Sequence, residues 1–339
     1  MAGSAKSALV LQGGGALGAY ELGAARALYK KSNFSPDLIA GVSIGAITAV
    51  LLARPRKPLK PVEALQAFWE KVTIDAPLVS GLVRPYASFF GNPHFFTPRR
   101  DYLNFFNWTC FYDIEPLRQT LEELVDLEAL ASKTASPQLL LSATNLEEGQ
   151  ITYFYSDNRD YGLTLDHIVA SCSLPPAFPM AEISQKHYWD GGLFDNTPLG
   201  AVLDHLDDAP GVDRTIYVVN LFPNRAAIPT NMSEIAARMK NLQFANKSLD
   251  DLKLLKRFND VAALMEAIEA LPGGNPLQDN DAYKAVEAQG YLRVPTIFQI
   301  GPPEVPDEFD DADFSREAIN ARARAGENQT LKALQARQT

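Results

Sequence analysis

The sequence predicts an α/β fold with a mainly parallel central sheet, and three observations carry that prediction. Short, wholly apolar runs such as Ala8-Leu9-Val10-Leu11 have the composition of strands covered on both faces. The first two runs each lead through a glycine-bearing turn into a helix-forming stretch, so strand, loop and helix alternate between Ala8 and Ala53. The chain of 339 residues, 46% hydrophobic and 21% charged, is long enough to bury a sizeable core.

The first strand, Ala8 to Leu11, ends in the glycine cluster Gln12 to Gly18. A helix over Ala19 to Lys31 follows, with Leu22, Ala25 and Leu28 or Tyr29 on one side. Asp37 to Ala40 is the second strand, and the apolar run Ile47 to Ala53 is the helix after it. Arg54 to Pro61, rich in proline and basic residues, cannot continue that helix and reads as a solvated loop; Pro61 then opens a helix to Val72. Between Pro85 and Tyr112 lies a tract of aromatic residues, among them Tyr86, Phe89, Phe95, Phe96, Trp108 and Phe111. Their lack of a clean period points to a packed cap or a lined cleft, with ordinary core packing as the alternative. An acyl chain would suit such a lining.

Asp113 is placed to cap a helix over Ile114 to Val125. Gln138 to Ala143 and Ile151 to Tyr155 read as strands joined by the turn Asn145 to Gly149. Leu165 to Ser171 is a short helix, and Leu174 to Pro179 a rigid loop. A short strand ends in the turn Tyr188 to Leu193, and Thr215 to Leu221 is another buried strand. Beyond Pro223 helix formers dominate: Ser233 to Asn246 and Leu249 to Leu271 are helices, the latter stopped by Pro272-Gly273-Gly274. Val294 to Ile300 is a strand, the acidic Glu304 to Asp313 an exposed linker, and Phe314 to Gln335 a last helix. We therefore divide the chain into residues 1–228, which carry the chemistry, and a mostly helical extension, 229–339, packed on the same domain.

A net charge of −10 and a pI near 5.0 argue against nucleic acid as a partner, because neutralising phosphates needs a dominant basic surface. They also disfavour attachment to membranes by charge alone. Met1 to Ser7 shows no leader, no apolar run has the ~18 residues of a membrane span, and Cys110 and Cys172 make no disulfide framework, so a cytoplasmic setting is expected. No pair of His, Cys or carboxylate residues has ligand spacing, so neither a metal nor another cofactor is expected.

Gly41-Val42-Ser43-Ile44-Gly45 lies between a strand and a helix, the setting of a nucleophile elbow. Gly41 and Gly45 give the turn its room and Ser43 is thrust outward. The helix start behind it offers free N–H groups to a developing negative charge. Gly13, Gly14, Gly15 and Gly18 form a loop whose backbone N–H groups can converge on an anion, as an oxyanion hole or a phosphate cradle. Asp190, followed by two glycines, can approach another backbone closely and accept a proton. None of His94, His167, His187 and His205 sits in a setting that marks a triad member. His187, three residues from Asp190 in a strand, points to the other face. These features favour a Ser43–Asp190 dyad.

The order G-G-G-x-x-G (Gly13 to Gly18), G-x-S-x-G (Gly41 to Gly45) and D-G-G (Asp190 to Gly192) resembles the patatin-like phospholipases of bacterial type. Ala170 to Pro179 and Asn196 to Leu199 resemble the segments flanking that family's aspartate, and the match runs over roughly residues 8 to 222. The resemblance implies a three-layer α/β/α fold and hydrolysis of lipid acyl esters through an acyl-enzyme on Ser43. It makes Asp190 the base and the glycine loop the oxyanion hole. It also implies a lipid or other acyl-ester substrate and transient contact with a membrane surface. Many members carry Arg or Lys before the last glycine of the loop, where this chain has Leu17. The alternatives are an acyltransferase on the same fold, or a non-catalytic lipid- or nucleotide-binding protein. For the last, Gly13, Gly15 and Gly18 fit G-x-G-x-x-G, but Asp37 lies at the wrong end of the second strand to meet a ribose.

Overall fold

The computed structural model describes residues 6–30, 34–75, 91–206, 214–245, 260–261, 263–288, 296–307 and 309–336. Strand β1 (Lys6–Leu11) leads through the glycine loop to α1 (Ala19–Tyr29), and β2 (Leu38–Gly41) through the elbow to α2 (Ile44–Ala53) and α3 (Pro61–Val72). A small hairpin, β3 (Thr97–Pro98) with β4 (Tyr112–Asp113), precedes α4 (Glu115–Leu124) and α5 (Leu127–Ala131). There follow β5 (Gln138–Asn145), β6 (Gln150–Tyr155), α6 (Leu165–Cys172), β7 (Ala181–Ile183), β8 (Lys186–Asp190), α7 (Leu199–His205) and β9 (Arg214–Val219). The C-terminal third adds α8 (Met232–Phe244), α9 (Asp281–Ala288), β10 (Thr296–Ile300) and α10 (Arg316–Gln335).

Eight strands form one sheet in the order β10-β9-β1-β2-β5-β8-β7, with β6 beside β5. The neighbours from β10 to β5 are all parallel, and β6, β7 and β8 join antiparallel. Alternation along the strands divides the core. Leu9 and Leu11 of β1 face α1, α2, α3 and α6 with Ile39 and Leu141; Ala8 and Val10 face Leu199 and Val202 of α7 with Ala40 and Ile216. These are the three layers. Helix α1, expected to show one apolar side, is buried nearly all round, because α10 covers the side turned away from the sheet. The helices cross so closely that a Cβ on Gly23 would lie 1.8 Å from the Ala323 carbonyl oxygen, and one on Gly326 2.0 Å from that of Tyr20.

Strand β5 brings distant parts of the chain together. Its residues 140–145 pair with β6 on one edge; on the other, Leu141 pairs with Gly41 of β2 and Ala143 with Asp190 of β8. Strand β8 therefore continues the edge where β2 stops. The ends of β2 and β8 face each other about 7 Å apart along β5, two residues at the usual strand rise.

Most predicted elements fall within a residue or two of their expected bounds. Asp113 holds the Glu115 N–H (2.9 Å) while Ile114 occupies the N-cap. About half of the expected helix Leu249 to Leu271 lies outside the described residues, with residues 260–261 and 263–269 helical; Tyr86, Phe89 and Phe90 lie outside them as well. Arg54, expected in a solvated loop, is buried and donates to the carbonyls of Ala53, Ala129 and Ala135, and the acidic segment near the C-terminus is corrected as well. Glu304 to Asp313 is exposed only in part: Glu304, Asp307 and Phe309 face solvent, but residues 310–312 form a turn, Asp313 is buried, and Asp310 and Asp311 are tied down by Arg322 and Lys240. Counterions supplied from α10 and α8 draw the last part of the acidic stretch, residues 310–313, into packed structure. Among the described residues no helix is long and apolar enough to cross a membrane.

Candidate active site

Ser43 follows β2 at the N-cap position of α2 with φ 55° and ψ −123°, a conformation that L side chains rarely adopt. The turn is tight enough that a Cβ on Gly41 would meet the Gly45 carbonyl oxygen at 2.1 Å, and one on Gly45 that of Leu11 at 2.5 Å. Serine at a helix N-cap ordinarily bonds the first turn through its hydroxyl. Here the hydroxyl makes no capping bond. The backbone of Ser43 is held instead: its N–H donates to Ser171 Oγ (3.0 Å), and its carbonyl accepts from Cys172 Sγ (3.3 Å) and from the N–H groups of Ala46 (2.9 Å) and Ile47 (3.2 Å). Sequence reasoning did not find Ser171 or Cys172 in this role; their only signal was their place in the segment before Leu174.

Asp190 ends β8 and is 2% exposed. Its N–H donates to the Ser173 carbonyl (3.0 Å), its carbonyl accepts from Thr144 Oγ1 (2.8 Å), and its Oδ1 accepts from the Gly192 N–H (2.7 Å). Burial pushes the carboxyl from its ordinary 3.8 up to about 7, against the smaller, opposing pull of the Ser43 side chain and the Gly192 N–H. Burial, with the Asp190 charge behind it, also holds the Cys172 thiol well above its usual range, so the sulfur stays protonated as a donor to Ser43.

Both residues line one cavity of about 210 Å³. Gly13, Gly14 and Gly15 form its floor beside Ser43, and Phe95, Phe96, Tyr112, Phe178, Phe222 and Phe314 are among its apolar walls. The aromatic tract thus divides: Phe95, Phe96 and Tyr112 line the cavity, while Phe106 and Phe111 are exposed. The glycine loop divides too. Gly13 donates its N–H to the Asn196 carbonyl (3.4 Å), whereas the Gly14 and Gly15 N–H groups meet no acceptor among the described residues. Gly18 lies away from the cavity, where a Cβ would meet Ile44 Cγ1 at 2.6 Å; it lets the loop pack on α2.

Two amides that sequence reasoning missed hold the loop. Gln12, fully buried, donates from Nε2 to Thr197 Oγ1 (2.8 Å) and the Phe244 carbonyl (3.2 Å), and its Oε1 accepts from the N–H groups of Leu221 (2.6 Å) and Phe222 (2.9 Å). Asn196 Nδ2 donates to the carbonyls of Gly13 (3.0 Å) and Phe244 (2.9 Å). Among the described residues no histidine lines the cavity. His187 pairs with Glu147 at the surface, His205 with Asp157, and His167 is buried against Phe154 and Tyr161, where desolvation lowers its pKa to about 4. Asp37 accepts the Ser7 N–H (2.8 Å) at the end of the sheet opposite the glycine loop, so no ribose acid stands beside it.

The family model described as patatin-like phospholipase matches residues 9–203, more than half of the chain. The chain belongs to the patatin-like phospholipase family. Membership makes it a patatin-like hydrolase of lipid esters, on the α/β architecture described above. No curated protein sequence matches it. Among solved structures it is similar to VipD from Legionella pneumophila, at 14% identity over 98% of this chain and 67% of that one, with a TM-score of 0.42. It is also similar to the heterodimeric ExoU-SpcU complex of the type III secretion system of Pseudomonas aeruginosa, at 18% identity over 98% and 72%, with a TM-score of 0.32. The patatin-like match stops before α8, β10 and α10, yet Phe244, Asp311, Ala312 and Phe314 line the cavity.

Proposed function

We propose that this patatin-like hydrolase cleaves acyl esters of lipids by a Ser43–Asp190 dyad, in two steps through an acyl-enzyme. Asp190 takes the Ser43 proton as Oγ attacks the ester carbonyl, and the N–H groups of Gly14 and Gly15 hold the resulting oxyanion. The alcohol leaves with the proton from Asp190. Water then attacks the acyl-serine, with the same carboxylate as base, and the carboxylic acid is released. The supporting observation is an uncapped, strained serine sharing an apolar cavity with a carboxyl whose burial pushes its pKa to about 7, which suits a base working near neutral pH.

The acyl chain lies among Phe95, Phe96, Phe178 and Phe314. Transient contact with a lipid surface is supported by Phe111, Phe194 and Phe309, which are exposed and each within two residues of a lining residue. Labelling with a fluorophosphonate, followed by product analysis on phospholipid and neutral-lipid panels, tests the reading. Wild type should label and release fatty acid, and Ser43→Ala should do neither. Undiminished esterase activity in Ser43→Ala would refute it.

A further inference from the structure

The glycine loop is not held by the family-matched segment alone. Arg322 of α10 lies outside residues 9–203, and its guanidinium is largely buried. It donates from Nη1 to the Ala16 carbonyl (3.4 Å) and to the Asp313 carbonyl (2.7 Å), and from Nη2 it pairs with Asp310 (3.3 Å). One cation therefore joins the loop to the strap 310–314. The strap in turn crosses the loop: a Cβ on Gly15, whose φ is +55°, would lie 2.4 Å from the Asp311 carbonyl oxygen. Lys240 of α8 pairs with the Asp311 carboxylate (2.5 Å).

We propose that Arg322 is a positioning residue of the oxyanion loop, acting on it from the C-terminal helix. The chemistry is that of a guanidinium spanning two carbonyls and a carboxylate in a fixed fork. By fixing the Ala16 peptide it fixes the turn that aims the adjacent Gly14 and Gly15 N–H groups, and by fixing the strap it closes the cavity wall at Asp311 and Phe314. Donors a few tenths of an ångström out of place lose their value in the transition state while ground-state binding persists. The effect of Arg322 should therefore fall on kcat rather than on KM.

This inference rests on the dyad reading, and its test keeps the two apart. Wild type, Arg322→Lys and Arg322→Met are compared on a short-chain p-nitrophenyl ester, each rate divided by the sites that a fluorophosphonate titrates to completion. Per titrated site, Arg322→Met should lose about 10- to 100-fold in kcat with KM within about twofold, short of the 10²–10³ that follows deletion of an oxyanion donor outright. Arg322→Lys, which keeps the charge but not the fork, should recover only part of the loss, and added guanidinium should raise the Met variant's rate without changing its titre. A merely structural role would lower the titre and the melting temperature together, leave kcat per site unchanged and show no rescue; that result overturns the proposal, as does full activity in Arg322→Met. An inert wild type would instead overturn the dyad reading.

Discussion

Replacing Asp190 by Asn should abolish turnover and at the same time stabilise the protein, by an amount that depends on pH. The carboxyl stands at about 7 in the fold against an ordinary 3.8, because burial opposes its charge. Three pKa units at 1.36 kcal/mol each make an ionised Asp190 cost about 4 kcal/mol of folding free energy. The sign follows from proton counting. Between pH 4 and 7 the folded chain holds a proton that the unfolded chain has lost, so this group's contribution to stability is full below 3.8 and is lost as pH rises to about 7. Asn carries no charge and keeps an oxygen for the Gly192 N–H. Its advantage over wild type should widen from pH 4 to 7 and then stay level. The assay is thermal unfolding of both proteins from pH 4.5 to 8.5, beside the pH profile of wild-type kcat/KM, which should rise through an apparent pKa near 7 as the base ionises. A melting difference that does not change with pH, or a flat rate profile between pH 5 and 9, would refute the reasoning.

Three further outcomes are expected. Gly326→Ala drives a methyl into the Tyr20 backbone, 2.0 Å from its carbonyl oxygen, and should cost about 3 kcal/mol or more by overpacking the α1–α10 crossing, read by chemical denaturation. Gln12→Ala leaves the buried N–H groups of Leu221 and Phe222 without their acceptor and should cost about 2–5 kcal/mol, with kcat falling in the protein that remains folded. Phe178→Ala enlarges the cavity beside Phe95 and Phe96 and should move the preferred p-nitrophenyl ester toward longer acyl chains; an unchanged order of preference would place the chain elsewhere.

The elbow was legible because its physics is local: Gly41 and Gly45 are where backbone meets backbone, and Ser43 is the residue between them. Elements with a strong period or a firm punctuator, such as α3 beginning at Pro61, were legible for the same reason. Asp190 was legible only through its order relative to the other glycine-rich segments, since an Asp-Gly-Gly turn has no distinctive chemistry of its own. What makes it special is the register of β5, which pairs Leu141 with Gly41 and Ala143 with Asp190 along one edge. That register is a tertiary fact. Which loop amides are left unspent was not legible either, because a glycine's neighbours decide whether its N–H is spent, as at Gly13, or unspent, as at Gly14 and Gly15.

The C-terminal third shows how an acidic run can mislead. Charge density alone makes Glu304 to Asp313 a solvated segment, and nothing local contradicts that. At residues 310–313 the outcome is reversed by two cations far away in sequence, Lys240 and Arg322, both on helices beyond the family match. Once they are paired, the run can lie against a loop built of glycine, where a side chain at residue 15 would have kept the Asp311 backbone out. The same absence of side chains that leaves the Gly14 and Gly15 N–H groups unspent admits the strap against Gly15. The triple glycine therefore meets two requirements, and the second belongs to residues beyond the family match.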